Sequence, residues 1–244
     1  MKRFKNEKYN KLPEIEKVFK AEAVSEDVTK LTMYGDIGES WWYDSITAKS
    51  VESTLKDITT NNIEVHINSY GGDVFDGISI YNILKNHEAN VTIHIDGIAA
   101  SAASIIAMSG DKIIMNTGSI MMIHEGSTYA YGTKTDITKT LNALESIDKS
   151  IADIYMTRFT GTREEIDEKI VKETWLTASE AIDAGLADKI EDEALDNEVV
   201  NELKATINNL QNELKQLKNK IEPKEPIQEP VVKKQNLSKL FLNL

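Results

Sequence analysis

The chain has no cysteine. That excludes disulfides, a thiol nucleophile and any Cys-ligated zinc or iron–sulfur centre. Long apolar runs are missing too: none reaches the roughly 18 uncharged residues that a membrane-spanning helix needs. The basic residues after Met1 are not followed by the apolar stretch of a secretory signal. Positive charge is in deficit. Across 244 residues, 28 Lys and Arg oppose 40 Asp and Glu, a net charge of −12 with histidine neutral. That balance argues against a general nucleic-acid-binding surface. Proline is scarce, and three of the four prolines are confined to Pro223, Pro226 and Pro230. Hydrophobic residues make up 41% of the chain, enough to bury a core of ordinary size. The expectation is a soluble, cytoplasmic protein without a nucleic-acid or membrane partner. Its chemistry would fall to Ser, His, Asp, Glu and Lys.

Charge and pattern divide the chain. The first twenty residues hold seven Lys/Arg against three Glu, and residues 1–27 read as a basic arm, flexible or peripheral. Between 28 and 195 strand and helix patterns alternate. Ile63-Glu64-Val65-His66-Ile67 alternates strictly, as does Val91 to Ile95, the signature of strands with one buried face. Leu31–Gly35, Lys112–Met115 and Ile120–Ile123 read as further strands. Ala48–Ile58, the stretch from Val74 to Leu84, and Lys134–Phe159 carry apolar residues at helical spacing. A helix over Ser179–Ala184 ends at Gly185, a plausible C′ glycine. Asp96-Gly97 reads as a turn into a small-residue helix over Ile98–Met108. Strands alternating with helices predict an α/β fold of parallel β-α-β units.

Past 195 the pattern changes. Val200, Leu203, Ile207, Leu210, Leu214, Leu217 and Ile221 step by three and four. Residues 196–222 therefore read as a heptad helix suited to a parallel two-stranded coil, with an amphipathic helix docked on its own domain as the alternative. Residues 223–235 form a proline-rich linker. The apolar peptide 236–244 reads as a docking tag for a partner.

Four histidines are present, His66, His87, His94 and His124. None forms a HExxH pair and no acidic cluster has ligand spacing, so neither a metal nor another cofactor is expected. Three stretches offer chemistry. In Gly97-Ile98-Ala99-Ala100-Ser101-Ala102, a serine at the start of a small-residue helix would meet free N–H groups that favour developing negative charge; a buried Ala/Ser helix is the plain alternative. In Asn68-Ser69-Tyr70-Gly71-Gly72, two glycines at a strand-to-helix junction would let backbone N–H groups approach a ligand. A tight turn explains them equally, and no lysine follows in P-loop spacing. Met122-Ile123-His124 delivers an imidazole to a strand end, where it would act as a general base or be structural.

In this order, and with Leu176-Thr177-Ala178-x-Glu180-Ala181 and Gly185-Leu186-x-Asp188 downstream, the stretches resemble the ClpP family of serine peptidases over about residues 28–192. Tyr34-Gly35-Asp36-Ile37-Gly38 and Ser40-Trp41-Trp42 resemble its phage-encoded branch, the head maturation (prohead) proteases. The resemblance implies a crotonase/ClpP-like fold and a Ser–His–acid endopeptidase. Ser101 falls on the nucleophile, His124 on the general base, and the N–H groups of Gly72 and Ala102 on the oxyanion hole. Glu173 falls where the family usually has Asp, and Tyr70 replaces the common proline. The resemblance further implies homo-oligomeric rings joined through the helix over 134–159, with scaffold and capsid proteins as substrates in the host cytoplasm or procapsid. A Clp ATPase partner is a further implication. Competing readings are an acyl-CoA hydratase or isomerase of the same fold, a Ser–Lys signal-peptide-peptidase relative, and a catalytically degenerate assembly protein.

Overall fold

The computed structural model describes residues 13–39, 45–191 and Thr206. The heptad, linker and C-terminal peptide expected over 196–244 lie outside the described residues, Thr206 apart, as do Ser40, Trp41 and Trp42.

Five strands make the parallel centre: β2 (Val28–Tyr34), β3 (Asn62–Ser69), β4 (Asn90–Ala100), β5 (Lys112–Asn116) and β8 (Lys189–Glu191), hydrogen-bonded in that order. The β1 strand (Val18–Ala23) joins the open edge of β2 antiparallel. The basic arm expected over 1–27 therefore ends in an edge strand of the sheet. Residues β6 (Ile120–Ile123) and β7 (Thr174–Thr177) form an antiparallel pair, and β6 lies parallel to the far end of β4. The sheet is thus mixed around a parallel core.

Alternation decides which face is buried. In β3, Ile63, Val65, Ile67 and Ser69 are buried, whereas Asn62, Glu64, His66 and Asn68 are only partly covered. The apolar face is covered by α1 (Ala48–Leu55), α2 (Val74–Lys85) and α3 (Ala102–Ala107), through Val51, Leu55, Ile80, Leu84, Ile105 and Ile106. The opposite face carries the polar members of the alternation.

The remaining helices are α4 (Lys134–Met156), α5 (Arg163–Val171) and α6 (Ala178–Asp183). Their starts follow from capping boxes. Thr133, Thr162 and Thr177 each accept the N3 amide, while Asp136, Glu165 and Glu180 reach back to the cap, satisfying otherwise orphaned N–H groups.

One expectation at the centre is corrected. Asp96-Gly97 is not a turn. The strand β4 continues through it to Ala100, and the helix begins only at Ala102. The ladder partner changes there: β4 pairs with β5 over Thr92–Ile95 and with β6 over Ile98–Ala100. Gly97 permits the crossover, because a Cβ on it would sit 2.7 Å from the Asn68 Oδ1. No helix among the described residues is long and apolar enough to cross a membrane.

Candidate active site

Ser101 occupies the single residue between the end of β4 and the first residue of α3. Its φ of 54° is positive, a conformation that costs a residue with a Cβ about 1–2 kcal/mol. The surroundings hold it there. Its N–H donates to the Met122 carbonyl at 3.0 Å, and its own carbonyl accepts from Ser104 N and Ile105 N. The Ser104 hydroxyl, fully buried, lies 2.7 Å from the Ser101 carbonyl, 2.9 Å from that of Met122 and 2.8 Å from the Tyr155 hydroxyl. Burial pushes the Tyr155 phenol well above its ordinary pKa, so Tyr155 stays neutral and can donate to Ser104. Ser104 then shares its one proton between the two carbonyls. It is a structural peg beneath Ser101.

His124 follows directly on β6. Because β6 runs parallel to β4 with Ala100 opposite Met122, the end of β6 arrives beside Ser101. The His124 Nε2 lies 2.7 Å from the Ser101 Oγ, within range for direct proton transfer. Two residues on, Gly126 N donates to Asp148 Oδ1 at 2.7 Å, tying this loop to α4.

The glycine pair closes the third side. Gly71 and Gly72 have φ of 91° and 151°. A Cβ on Gly71 would lie 2.5 Å from the Ala100 carbonyl, 2.8 Å from Ala102 N and 2.8 Å from the Ser101 Cβ. Gly71 is therefore in contact with the serine turn itself. Ile37 fixes the loop from the other side, donating to Gly71 O and accepting from Asp73 N; a Cβ on Gly72 would lie 2.0 Å from the Ile37 carbonyl. Asn68 joins this loop to β4, its Oδ1 accepting from Ile98 N at 3.2 Å. Among the described residues, the N–H groups of Gly72 and Ala102 donate to no protein acceptor. An oxyanion would need such donors; Ala102 directly follows Ser101, and Gly72 directly follows the Gly71 that packs on the serine turn.

Glu173 lies between α5 and β7. The β6–β7 ladder runs from Ile120 opposite Thr177 to Ile123 opposite Thr174. The ladder ends there, and His124 and Glu173 are the next residues beyond it on the two chains. Glu173 also has a positive φ, 52°. It is the C′ residue of α5, where its N–H caps the Ile170 carbonyl at 3.1 Å, a position that ordinarily takes Gly or Asn. Its Oε1 accepts weakly from Trp175 Nε1 at 3.4 Å. Thus Ser101 and His124 are in direct contact, the glycine loop abuts them, and Glu173 is brought to the same end of the sheet.

A profile described as Clp protease matches residues 42–194. The chain belongs to the Clp protease family. Similar members include the ATP-dependent Clp protease proteolytic subunit 3 of Rhodococcus jostii, 33% identical over 131 residues, or 53% of this chain and 65% of that protein. A proteolytic subunit 1 from Chlamydia abortus is 33% identical over 128 residues, covering 51% of this chain and 67% of its own length. The chain thus spans about two thirds of the length of these relatives. Among solved structures, a ClpP1 variant from Listeria monocytogenes shares the fold with a TM-score of 0.54 at 24% identity, over 68% of this chain and 92% of that one. The Clp protease match contains both the serine turn and the histidine strand.

A second polar constellation lies on the other face of the sheet, and no local sequence pattern marks it. His66 on β3 and His94 on β4 are register neighbours. Their rings stack with centroids 4.6 Å apart and planes 5° from parallel. His66 Nδ1 lies 2.8 Å from Asp96 Oδ2. Asp96 also accepts from the Tyr34 hydroxyl at 2.5 Å and from Asn116 Nδ2 at 2.9 Å. Burial alone would raise the Asp96 pKa, but the bonds from His66 and Tyr34 outweigh it and hold the carboxyl below its usual range. Burial, helped by the neighbouring His66, pushes His94 down. Glu64 completes the group: one ligand atom from each of Glu64, His66 and His94 lies within 4.8 Å of the others. Sequence spacing expects no metal site. The three residues are assembled only by pairing of two strands nearly thirty positions apart.

Proposed function

We propose that this chain is a serine endopeptidase of Clp type in which Ser101 is the nucleophile, His124 the general base and Glu173 the orienting carboxylate. The observation that carries the reading is the 2.7 Å contact between His124 Nε2 and Ser101 Oγ, made at a serine held at positive φ. Ser101 Oγ attacks the peptide carbonyl carbon while its proton passes to His124 Nε2. The carbonyl oxygen, now an anion, takes hydrogen bonds from the N–H groups of Gly72 and Ala102. His124 returns the proton to the leaving amine, the C–N bond breaks, and an ester on Ser101 remains. Water attacks that ester by the same route, its proton taken by His124 and returned to Ser101 Oγ. Glu173 would accept from His124 Nδ1–H, fixing the tautomer that leaves Nε2 free and stabilising the imidazolium.

Glu173 has a test in which stability and activity move in opposite directions. If its positive φ is retained for the sake of its carboxylate, Glu173→Gly relieves strain while removing the acid. The melting temperature should then rise by about 2–4 °C, the equivalent of about 1 kcal/mol in a chain of this size. The kcat should fall, and Glu173→Gln should lower it without the stability gain. A Glu173→Gly enzyme of unchanged turnover would place the acid elsewhere.

The substrate class we infer is the scaffold and capsid proteins of a phage head. The reading rests on Tyr34-Gly35-Asp36-Ile37-Gly38 and on the resemblance to the prohead branch. The relatives carry ATP dependence in their names; a protease enclosed with its substrates would need no unfoldase. Homo-oligomeric rings fit Ile137 and Leu141, two large apolar side chains left about half exposed on α4. The test is co-expression of the chain, and of Ser101→Ala, with candidate capsid and scaffold proteins, followed by mapping of new N-termini by mass spectrometry. Termini present only with the active serine support the reading. Cleavage of unrelated unfolded proteins with capsid and scaffold left intact would favour a general Clp-type peptidase instead.

A further inference from the structure

We infer that Glu64, His66 and His94 form a binding site for a divalent transition-metal ion of the zinc type, on the sheet face opposite the helices. Two imidazoles and one carboxylate are a ligand set that zinc favours over magnesium or calcium, which take oxygen donors. The three side chains project from one face of two adjacent parallel strands. Glu64 and His66 are alternate residues of β3, and His94 is the register partner of His66. A tetrahedral ion with bonds of about 2.0–2.1 Å needs donors roughly 3.3 Å apart. Donors already within 4.8 Å of one another can reach that by rotation of the side chains.

The second shell is already in place. The Nδ1 of His66 is engaged by Asp96 at 2.8 Å, which leaves Nε2 as the free lone pair. A carboxylate behind a ligating histidine fixes ring orientation and raises basicity. Asp96 is in turn held by Tyr34 and Asn116, so its carboxylate cannot swing into the ligand position. The two rings lie in near-parallel planes with centroids 4.6 Å apart, so their in-plane lone pairs meet at one ion only once the rings tilt toward each other about their side-chain torsions. All three residues are partly accessible rather than sealed, so an ion has a way in.

The position suggests what occupancy does. The strand β3 runs directly into the Gly71-Gly72 loop and β4 directly into Ser101. Between Ile67 and Ser69 the β3–β4 register shifts, so the ladder is interrupted just before the site. An ion bridging His66 to His94 clamps the two strands immediately upstream of that interruption.

The test uses the full-length, tag-free chain after chelator treatment. Zinc binding is measured by isothermal titration. Cobalt(II) is added separately, and its visible absorption reads coordination geometry. The expected results are one equivalent of zinc per chain, a melting temperature raised by about 3 °C or more in excess zinc, and the intense visible band of four-coordinate cobalt. His94→Gln should abolish the one-equivalent binding, and Glu64→Gln should weaken it at least tenfold. His87→Gln, outside the cluster, should bind as the parent does. Should His94→Gln fail to fold, Glu64→Gln and the cobalt spectrum of the parent chain still decide. Absence of saturable binding, binding unaffected by Glu64→Gln, or a six-coordinate cobalt spectrum would each overturn the site.

Discussion

Ser101→Ala should lower peptidase turnover by about 10⁵–10⁶-fold, the scale on which a serine peptidase depends on its nucleophile, and leave the fold intact. The fold survives because the bonds that position this residue are made by its backbone: its N–H to Met122 and its carbonyl to Ser104 and Ile105. Those remain in alanine. The hydroxyl itself points to His124 and is only partly buried. A companion substitution sharpens the test. Ser101→Gly removes the same hydroxyl and also the Cβ that makes a φ of 54° unfavourable. It should be equally inactive, yet more stable than Ser101→Ala by about 1 kcal/mol. A serine selected only to pack a small-residue helix would give the opposite order, because glycine lowers helix stability. Circular dichroism melts of the two variants, run beside the activity assay, give both answers.

Gly71→Ala should cost about 10²–10³-fold in kcat, comparable with loss of one oxyanion donor, while leaving the sheet and helices folded. The reasoning is steric. The added methyl would meet the Ala100 carbonyl at 2.5 Å, Ala102 N at 2.8 Å and the Ser101 Cβ at 2.8 Å. None of these is the free end of a flexible side chain, so backbone must move. All three belong to the serine turn, so relief of the clash displaces the Ala102 N–H, the Gly72 N–H or the hydroxyl. The positive φ of Gly71, 91°, adds strain of its own. If the glycine pair were only a tight turn, the substitution would lower the melting temperature with kcat unchanged in the folded fraction. Measuring kcat on active-site-titrated enzyme separates the two.

Much of this fold was legible in local pattern. The alternation in Ile63–Ile67 predicts both the strand and its buried face, because a period of two leaves one way to hide three branched side chains. Ser101 and His124 could be picked out only from the order of several motifs taken together, since each motif alone has a structural explanation, and the parallel arrangement followed from helices intervening between strands. What escaped depended on neighbours. Asp96-Gly97 carries turn chemistry, yet the strand continues there because β4 exchanges one partner strand for another, which no window on β4 contains. The strand Val18–Ala23 was hidden by the charge of its surroundings; its alternate residues Lys20 and Glu22 pair with each other on an edge, as edge strands tolerate. The helix Arg163–Val171 is marked in the sequence by Thr162-x-x-Glu165, a capping box. Glu173 shows the limit from another side. Its identity departs from the family pattern, and its place, just past the β6–β7 ladder at a positive φ, is visible only in the structure. His66 and His94 look unrelated in sequence because only strand pairing makes them neighbours.

Reaction of the intact chain with a fluorophosphonate, followed by peptide mapping, tests the Ser101–His124 chemistry most directly. The account predicts one adduct, on Ser101, formed by the parent chain and not by a folded His124→Gln variant. An adduct on another serine, or equal labelling of Ser101 without the imidazole, would contradict it.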